Sequence, residues 1–269
     1  MAGRAVPVGR RRFDGAWLPE DTDQVAAEEP LEIRVEGRPT AVTMRTPGHD
    51  LDLVAGFLVT EGVIDGPDDL VALAHTDDPH DPRGNTVDCV LASGVPAGRR
   101  HKAQRDFFAS SSCGICGKAT LDRVFQHAPP IATPLDPDPA LLATLPDRVR
   151  AAQAVFDRTG GLHAAALFSA DGVLDVLRED IGRHNAVDKV IGHRLRADRM
   201  PCDDAILVVS GRAGFEIVQK ALMARISVLA AVGAPSSLAV SLAHAANMVL
   251  VGFLRDGRFN RYGAPRDAG

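Results

Sequence analysis

Two strand-loop-helix units follow one another near the C-terminal end of this chain, and they constrain the fold more than anything else in it. The first runs Ala205-Ile-Leu-Val-Val-Ser-Gly-Arg-Ala-Gly, followed by a helical pattern over residues 215–225. The second has an apolar strand at 226–232, then Gly233-Ala-Pro-Ser-Ser, then a helical pattern over 238–247. A further strand over 248–254 turns at Asp256-Gly257. Strands that alternate with helices return in the same direction, so an α/β layer with at least part of its sheet parallel is predicted.

Upstream the pattern is mixed. Residues 31–45 alternate apolar and polar around Glu36-Gly37, a hairpin signal. An amphipathic helix is predicted over 49–61, after Pro47-Gly48, and a short strand containing Cys89 over 86–93. Residues 119–127 and 141–156 read as helices, 164–168 as a strand and 183–195 as another helix. The predicted organisation is a disordered 1–12, a smaller N-terminal α+β domain over 13–127, a Pro- and Asp-rich linker at 128–140, and a C-terminal α/β domain over 141–269.

Composition narrows the function. A net charge of -5 and 4% aromatic residues argue against nucleic acid as a partner, since the chain has no strong basic excess, only local clusters at Arg10–Arg12 and Arg255–Arg266, and few rings for a stacking platform. No convincing secretory signal or membrane span is read, so a cytoplasmic location is expected. Four cysteines without framework spacing do not form a disulfide scaffold, and thiols kept reduced are expected there.

Two of those cysteines make the chemical signature: Ser110-Ser-Ser-Cys113-Gly-Ile-Cys116-Gly-Lys118. Small residues on both sides make the backbone permissive. A structural zinc site wants four ligands, usually two such pairs, and Cys89 and Cys202 are solitary and distant. A dithiol oxidoreductase wants its pair at a helix N-terminus just after the first strand of a βαβ unit. A sulfur relay needs an accessible thiolate on a loop that can reach two sites, and Lys118 would help stabilise that thiolate. Zinc deaminase chemistry is disfavoured: Ala165 stands where a His-x-Glu acid should follow His163, and the cysteine pair precedes the histidine. No metal ligand set is assigned.

Further candidates lie downstream. In Glu179-Asp-Ile-Gly-Arg-His-Asn-Ala-Val-Asp-Lys189, a helix starting near Gly182 puts His184 and Asp188 one turn apart on one face, a candidate pocket wall. The loops Ser210-Gly-Arg212-Ala-Gly and Ala234-Pro-Ser236-Ser237 open helices after strands, where backbone N–H groups seat anions. The arginine-bearing stretch Phe253-Leu254-Arg255-Asp256-Gly257-Arg258 reads as a hairpin, either a basic solvated edge or a clamp for a phosphate-bearing ligand.

These blocks together, with Thr159-Gly-Gly-Leu-His-Ala-Ala, Glu28-Glu-Pro-Leu and Gly48-His-Asp-Leu-Asp-Leu-Val-Ala-Gly-Phe-Leu, resemble the formate dehydrogenase accessory sulfurtransferase family (FdhD) over residues 13–262. The resemblance implies a sulfurtransferase that takes persulfide sulfur from a cysteine desulfurase. The sulfur passes to the molybdenum or tungsten of a bis-molybdopterin guanine dinucleotide cofactor needed by formate dehydrogenase. It implies Cys113 as the persulfide carrier with Cys116 assisting. It places the cofactor on residues 253–258, and Arg212, Ser236, Ser237 and His184 join them as candidate contacts. A three-layer C-terminal domain similar to the cytidine deaminase fold and a homodimer are also implied. Gly214 departs from the family's usual small hydroxyl residue. The alternative kept open is a cofactor-binding chaperone whose cysteines are structural.

Overall fold

The computed structural model describes residues 5–77, 79, 81–100 and 128–263. Cys113, Cys116 and the helix predicted over 119–127 lie outside the described residues.

The organising element is a six-stranded sheet in the order β10-β9-β11-β12-β13-β14. Its strands are β9 (His163–Ser169), β10 (Leu174–Asp180), β11 (Ala205–Val209), β12 (Val228–Ala231), β13 (Val249–Arg255) and β14 (Arg258–Tyr262). β11, β12 and β13 are mutually parallel, and β9, β10 and β14 run antiparallel to their neighbours. The apolar runs are explained by burial on both faces. Ala164, Ala166, Phe168, Ile206, Val208, Val228, Ala230, Val249 and Val251 enter one core, with Leu142, Leu145 and Val149 of α2 (Pro139–Ala152). The alternate residues Ala165, Leu167, Leu207, Val209, Leu229, Ala231 and Leu250 enter the other. There they meet α4 (Arg183–Arg196), α5 (Phe215–Met223) and α6 (Ser237–Ala245). The period of two along each strand thus builds three layers, helix on sheet on helix.

The N-terminal part supplies a four-stranded sheet in the order β6-β5-β8-β7, from β5 (Glu29–Val35), β6 (Arg38–Arg45), β7 (Leu70–His75) and β8 (Thr86–Leu91). The predicted hairpin around Glu36-Gly37 is β5–β6, with both turn residues at positive φ. The predicted helix is α1 (Asp50–Thr60). Leu31, Ile33, Val35, Leu53, Leu58, Val87 and Cys89 share one continuous core with Val187, Val190 and Ile191 of α4. The two parts are therefore packed on each other through α1 and α4.

Three expectations change. Residues 1–12 were expected to be disordered, yet β1 (Ala5–Arg10) pairs in register with β4 (Asp21–Ala26). Arg10 holds Asp21 and Asp23 across that ribbon at 2.9 and 2.6 Å, which aligns its two strands. Between them β2 (Phe13–Asp14) and β3 (Ala16–Trp17) close the tip. The helix expected over 141–156 ends at Ala152, and a separate turn, α3 (Phe156–Thr159), follows it. Carboxylate oxygens of Glu179 accept from the backbone of Val155 and Phe156 and pin that break. The stretch expected as a linker is docked: Ile131 is buried and bonds Ala246 and Asn247, and Leu135 donates to Ser227 Oγ.

Candidate functional site

The carboxyl ends of β11, β12 and β13 lie along one edge of the large sheet, where open α/β sheets take ligands. Antiparallel pairing brings the start of β9, at His163, and the end of β10, at Asp180, to the same edge. Five chain segments separated by long stretches of sequence therefore converge there.

The loops after β11 and β12 are stitched together. Ala213 donates to Ala234 O and Ser236 donates to Ala213 O, a short parallel bridge. Gly233 N–H bonds Gly211 O, and Phe253 N–H bonds Gly233 O. Glycine is required at 233: a Cβ there would stand 2.8 Å from Gly211 O and 2.9 Å from Arg212 Cα. Ser236 caps α6, its Oγ accepting from Ala239 N–H, and Ser237 is exposed beside it. Gly214 caps α5 without a side chain. Arg212 is exposed in the loop that opens α5, bridged to the loop that opens α6, so a cation and two helix N-termini share one region.

His184, in the first turn of α4, reaches Glu216 in the first turn of α5 at 2.8 Å between Nε2 and Oε2. That hydrogen bond holds the Glu216 carboxyl below the usual carboxylate range. His163 lies against Gly211, where a Cβ would be 3.4 Å from the ring and 3.9 Å from Arg183 Cβ. Burial, and then the charge of Arg183, push the His163 imidazole below its usual value. Glu216 and Arg183 were not singled out from the sequence. A glutamate in an ordinary helical pattern gives no signal until two helix starts are known to meet.

The hairpin β13–β14 carries the segment 253–258. A register shift between Gly252 and Arg255, with Phe253 at φ 55°, turns the strand and leaves Phe253 exposed. A concavity of about 550 Å3 is lined by Phe253, Arg255, Gly257, Arg258, Phe259 and Asn260. Arg255, Asp256, Gly257 and Arg258 are exposed, whereas Leu254 is fully buried in the core under the sheet. Its side chain anchors the hairpin and is not available to a ligand.

Asp188 also turns inward. The shared face predicted for His184 and Asp188 does not form a pocket wall. Asp188 is 2% exposed and meets Lys220 Nζ at 3.0 Å between α4 and α5, with Thr60 donating to it at 2.8 Å. The cause is geometric: α4 buries that face against α1 and α5, and only its first turn reaches the edge.

Cys89 and Cys202 are fully buried, and desolvation pushes both thiols up to about 12. Neither can be a thiolate near neutrality. Among the described residues no group of three or more His, Cys, Asp or Glu side chains gathers as metal ligands, and no helix is long and apolar enough to cross a membrane.

Comparison with known proteins decides the kinship. The model of the FdhD/NarQ family matches residues 26–268. The chain belongs to the FdhD/NarQ family. It is 52% identical over 250 residues to the sulfur carrier protein FdhD of Streptomyces avermitilis, covering 89% of this chain and 87% of that one. It is 53% identical over 252 residues to the sulfur carrier protein FdhD of Streptomyces coelicolor, covering 91% and 89%. The crystal structure of a "putative formate dehydrogenase accessory protein" from Desulfotalea psychrophila superposes with a TM-score of 0.76 at 24% identity, covering 97% and 98% of the two chains. This FdhD/NarQ chain therefore shares its fold with that protein over almost its whole length.

Proposed function

We propose that this chain is a sulfur carrier for the maturation of a formate dehydrogenase. The observation that carries the reading is the convergence of Arg212, the two helix starts and the Arg255–Arg258 hairpin on one sheet edge, a seat suited to a bulky multiply anionic molecule. That seat takes the cargo, the guanine dinucleotide form of the metal-bearing pterin, with Phe253, Arg255 and Arg258 against its nucleotide end. His184, Ser236 and Ser237 line the same edge. Family membership supports the sulfur chemistry, the burial of Cys89 and Cys202 leaves the Cys113–Cys116 pair as its candidates, and the resemblance to the FdhD family implies Cys113 as the carrier with Cys116 assisting.

Loading is a thiol exchange. The Cys113 thiolate attacks the outer sulfur of a persulfide on a cysteine desulfurase. The donor S–S bond breaks, the donor cysteine leaves as its thiolate, and Cys113 becomes the persulfide, with no net oxidation. A homodimer working in the cytoplasm belongs to the same reading.

Intact mass after incubation with a cysteine desulfurase and cysteine tests it. Gain of one sulfur by the wild type and its loss in Cys113→Ala are expected. Equal gain in Cys113→Ala ends the assignment. Normal formate dehydrogenase maturation with both Cys113 and Cys116 changed to Ala would instead favour a cofactor chaperone.

A further inference from the structure

The segment joining β6 to α1 makes an unusual set of bonds to the start of α4. Thr43 Oγ1 donates to Asn185 Oδ1 at 3.2 Å, and Asn185 Nδ2 donates to Met44 O at 2.8 Å. Thr46 uses all three of its polar groups. Its N–H donates to Asp180 Oδ2 at 3.1 Å, its Oγ1 accepts from Ile181 N–H at 3.1 Å, and its carbonyl accepts from Lys189 Nζ at 2.8 Å. Asp180, fully buried, completes the joint. It accepts from Gly182 N–H at 2.8 Å and Asn185 Nδ2 at 3.0 Å, and it pairs with the buried Lys189 at 2.7 Å.

Apart from the bond of Lys189, one turn further along the helix, these bonds end within or beside the turn that opens α4, and the two residues that follow Gly182 are Arg183 and His184. Neither of those is part of the joint. Both reach the sheet edge, Arg183 beside Gly211 and His184 on Glu216. Buried charges cost stability unless each is fully bonded, and here two of the bonds, from Ile181 N–H and Gly182 N–H, also fix the backbone next to the ligand edge.

We propose that residues 43–46, acting through Asp180, are the positioning strap of this edge. They set the backbone at Ile181 and Gly182 and so aim Arg183 and His184 at an anionic ligand. The N-terminal half of the chain thereby supplies part of the geometry of the anion seat in the C-terminal half. The ligand in this statement rests on the reading given under Proposed function.

Thr46→Val keeps the shape and removes only the Oγ1 acceptor. Thr46→Ser restores it. GDP is the probe, measured by calorimetry on the full chain. Thr46→Val is expected to bind GDP about tenfold more weakly, with Thr46→Ser at the wild-type value and sulfur loading by the desulfurase unchanged. The double variant Thr46→Val/His184→Ala should lose less than the sum of the two single losses, because His184 is one of the two residues the strap aims. Additive losses, or wild-type affinity in Thr46→Val, overturn the strap.

If the wild type takes up no GDP, the ligand reading fails by itself, and hydrogen exchange decides the strap. Faster exchange at residues 183–187 of Thr46→Val, with α5 and the sheet unchanged, supports it. Unchanged exchange there overturns it.

Discussion

Gly56 of α1 and Gly192 of α4 touch backbone to backbone: a Cβ built on Gly192 would stand 2.5 Å from the Gly56 nitrogen and 1.8 Å from Asp52 O. A Cβ on Gly56 would stand 1.8 Å from Asp188 O. The two halves of the chain thus meet where neither helix has a side chain. Close approach of this kind is open only to glycine, and it draws α4 onto the N-terminal sheet.

Gly192→Ala is expected to force the helices apart. Overpacking of a buried contact costs typically about 1–3 kcal/mol, and here the clash is with backbone that cannot swing away. Denaturant unfolding checks it. A loss below about 0.5 kcal/mol would show that the crossing is soft.

Lys220→Met is expected to be severe. Lys220 Nζ bonds Asp188, Thr60 and Glu61, and it lies 5.9 Å from the centre of the Phe57 ring. Burial pulls the ammonium down, but the Asp188 and Glu61 carboxylates more than offset it and hold Lys220 above its usual value. Removing it leaves Asp188 buried and unpaired, at a cost of about 3–5 kcal/mol. The double variant Asp188→Leu/Lys220→Met should recover much of that loss, as seen in urea midpoints.

Native protein carrying Cys113→Ser and Cys116→Ser should resist iodoacetamide at neutral pH. Only Cys89 and Cys202 remain, both buried with thiols raised to about 12. Mass spectrometry should find two adducts only after denaturation. Labelling of the folded protein would undo their exclusion as sulfur carriers.

Stability should fall as the pH drops from about 6.5 toward 4, in part because of His49. Burial, and then the charge of Arg178, lower this imidazole to about 4. An imidazole lowered on folding takes up its proton more readily in the unfolded chain, so its contribution is complete above the unfolded value and declines below it. His49 sits at φ 58°, a conformation that asparagine tolerates. His49→Asn should therefore fold and show a shallower decline across that window in thermal melts at pH 7, 6 and 5.

Gly214→Ser should be tolerated and slightly stabilising. Gly214 caps α5 in extended backbone at φ -82°, and no atom lies within 4 Å of where its Cβ would be. A serine there can accept a hydrogen bond from the first turn, worth a few tenths of a kcal/mol over glycine. A lower melting temperature would mean that the capping site is already filled.

Much of the fold was legible because periodicity survives in the sequence. The strands β11, β12 and β13 and the helices α5 and α6 alternate where the pattern predicts them, because each strand is buried on both faces and each helix on one. The motif blocks carry the family resemblance without any tertiary information. The β1–β4 ribbon was missed because its strands are mostly exposed: β4 is polar, and the short apolar stretch of β1 is interrupted by Pro7, which reads against a strand.

The candidate site divides in the same way. Local chemistry names Arg212, Ser236, Arg255 and Arg258, since loop glycines, caps and hairpin arginines are read from neighbours in sequence. Which face of α4 is wet is not local. Asp188 and Lys189 look like site residues by composition, yet both are sealed in the core, while Glu216 gains its partner His184 from another helix. Residue types and spacing fix what each segment can do. Only the packing of α1 against α4 and the parallel order of the strands decide which polar groups are spent inside and which meet at the edge, because burial depends on contacts between segments far apart in the chain.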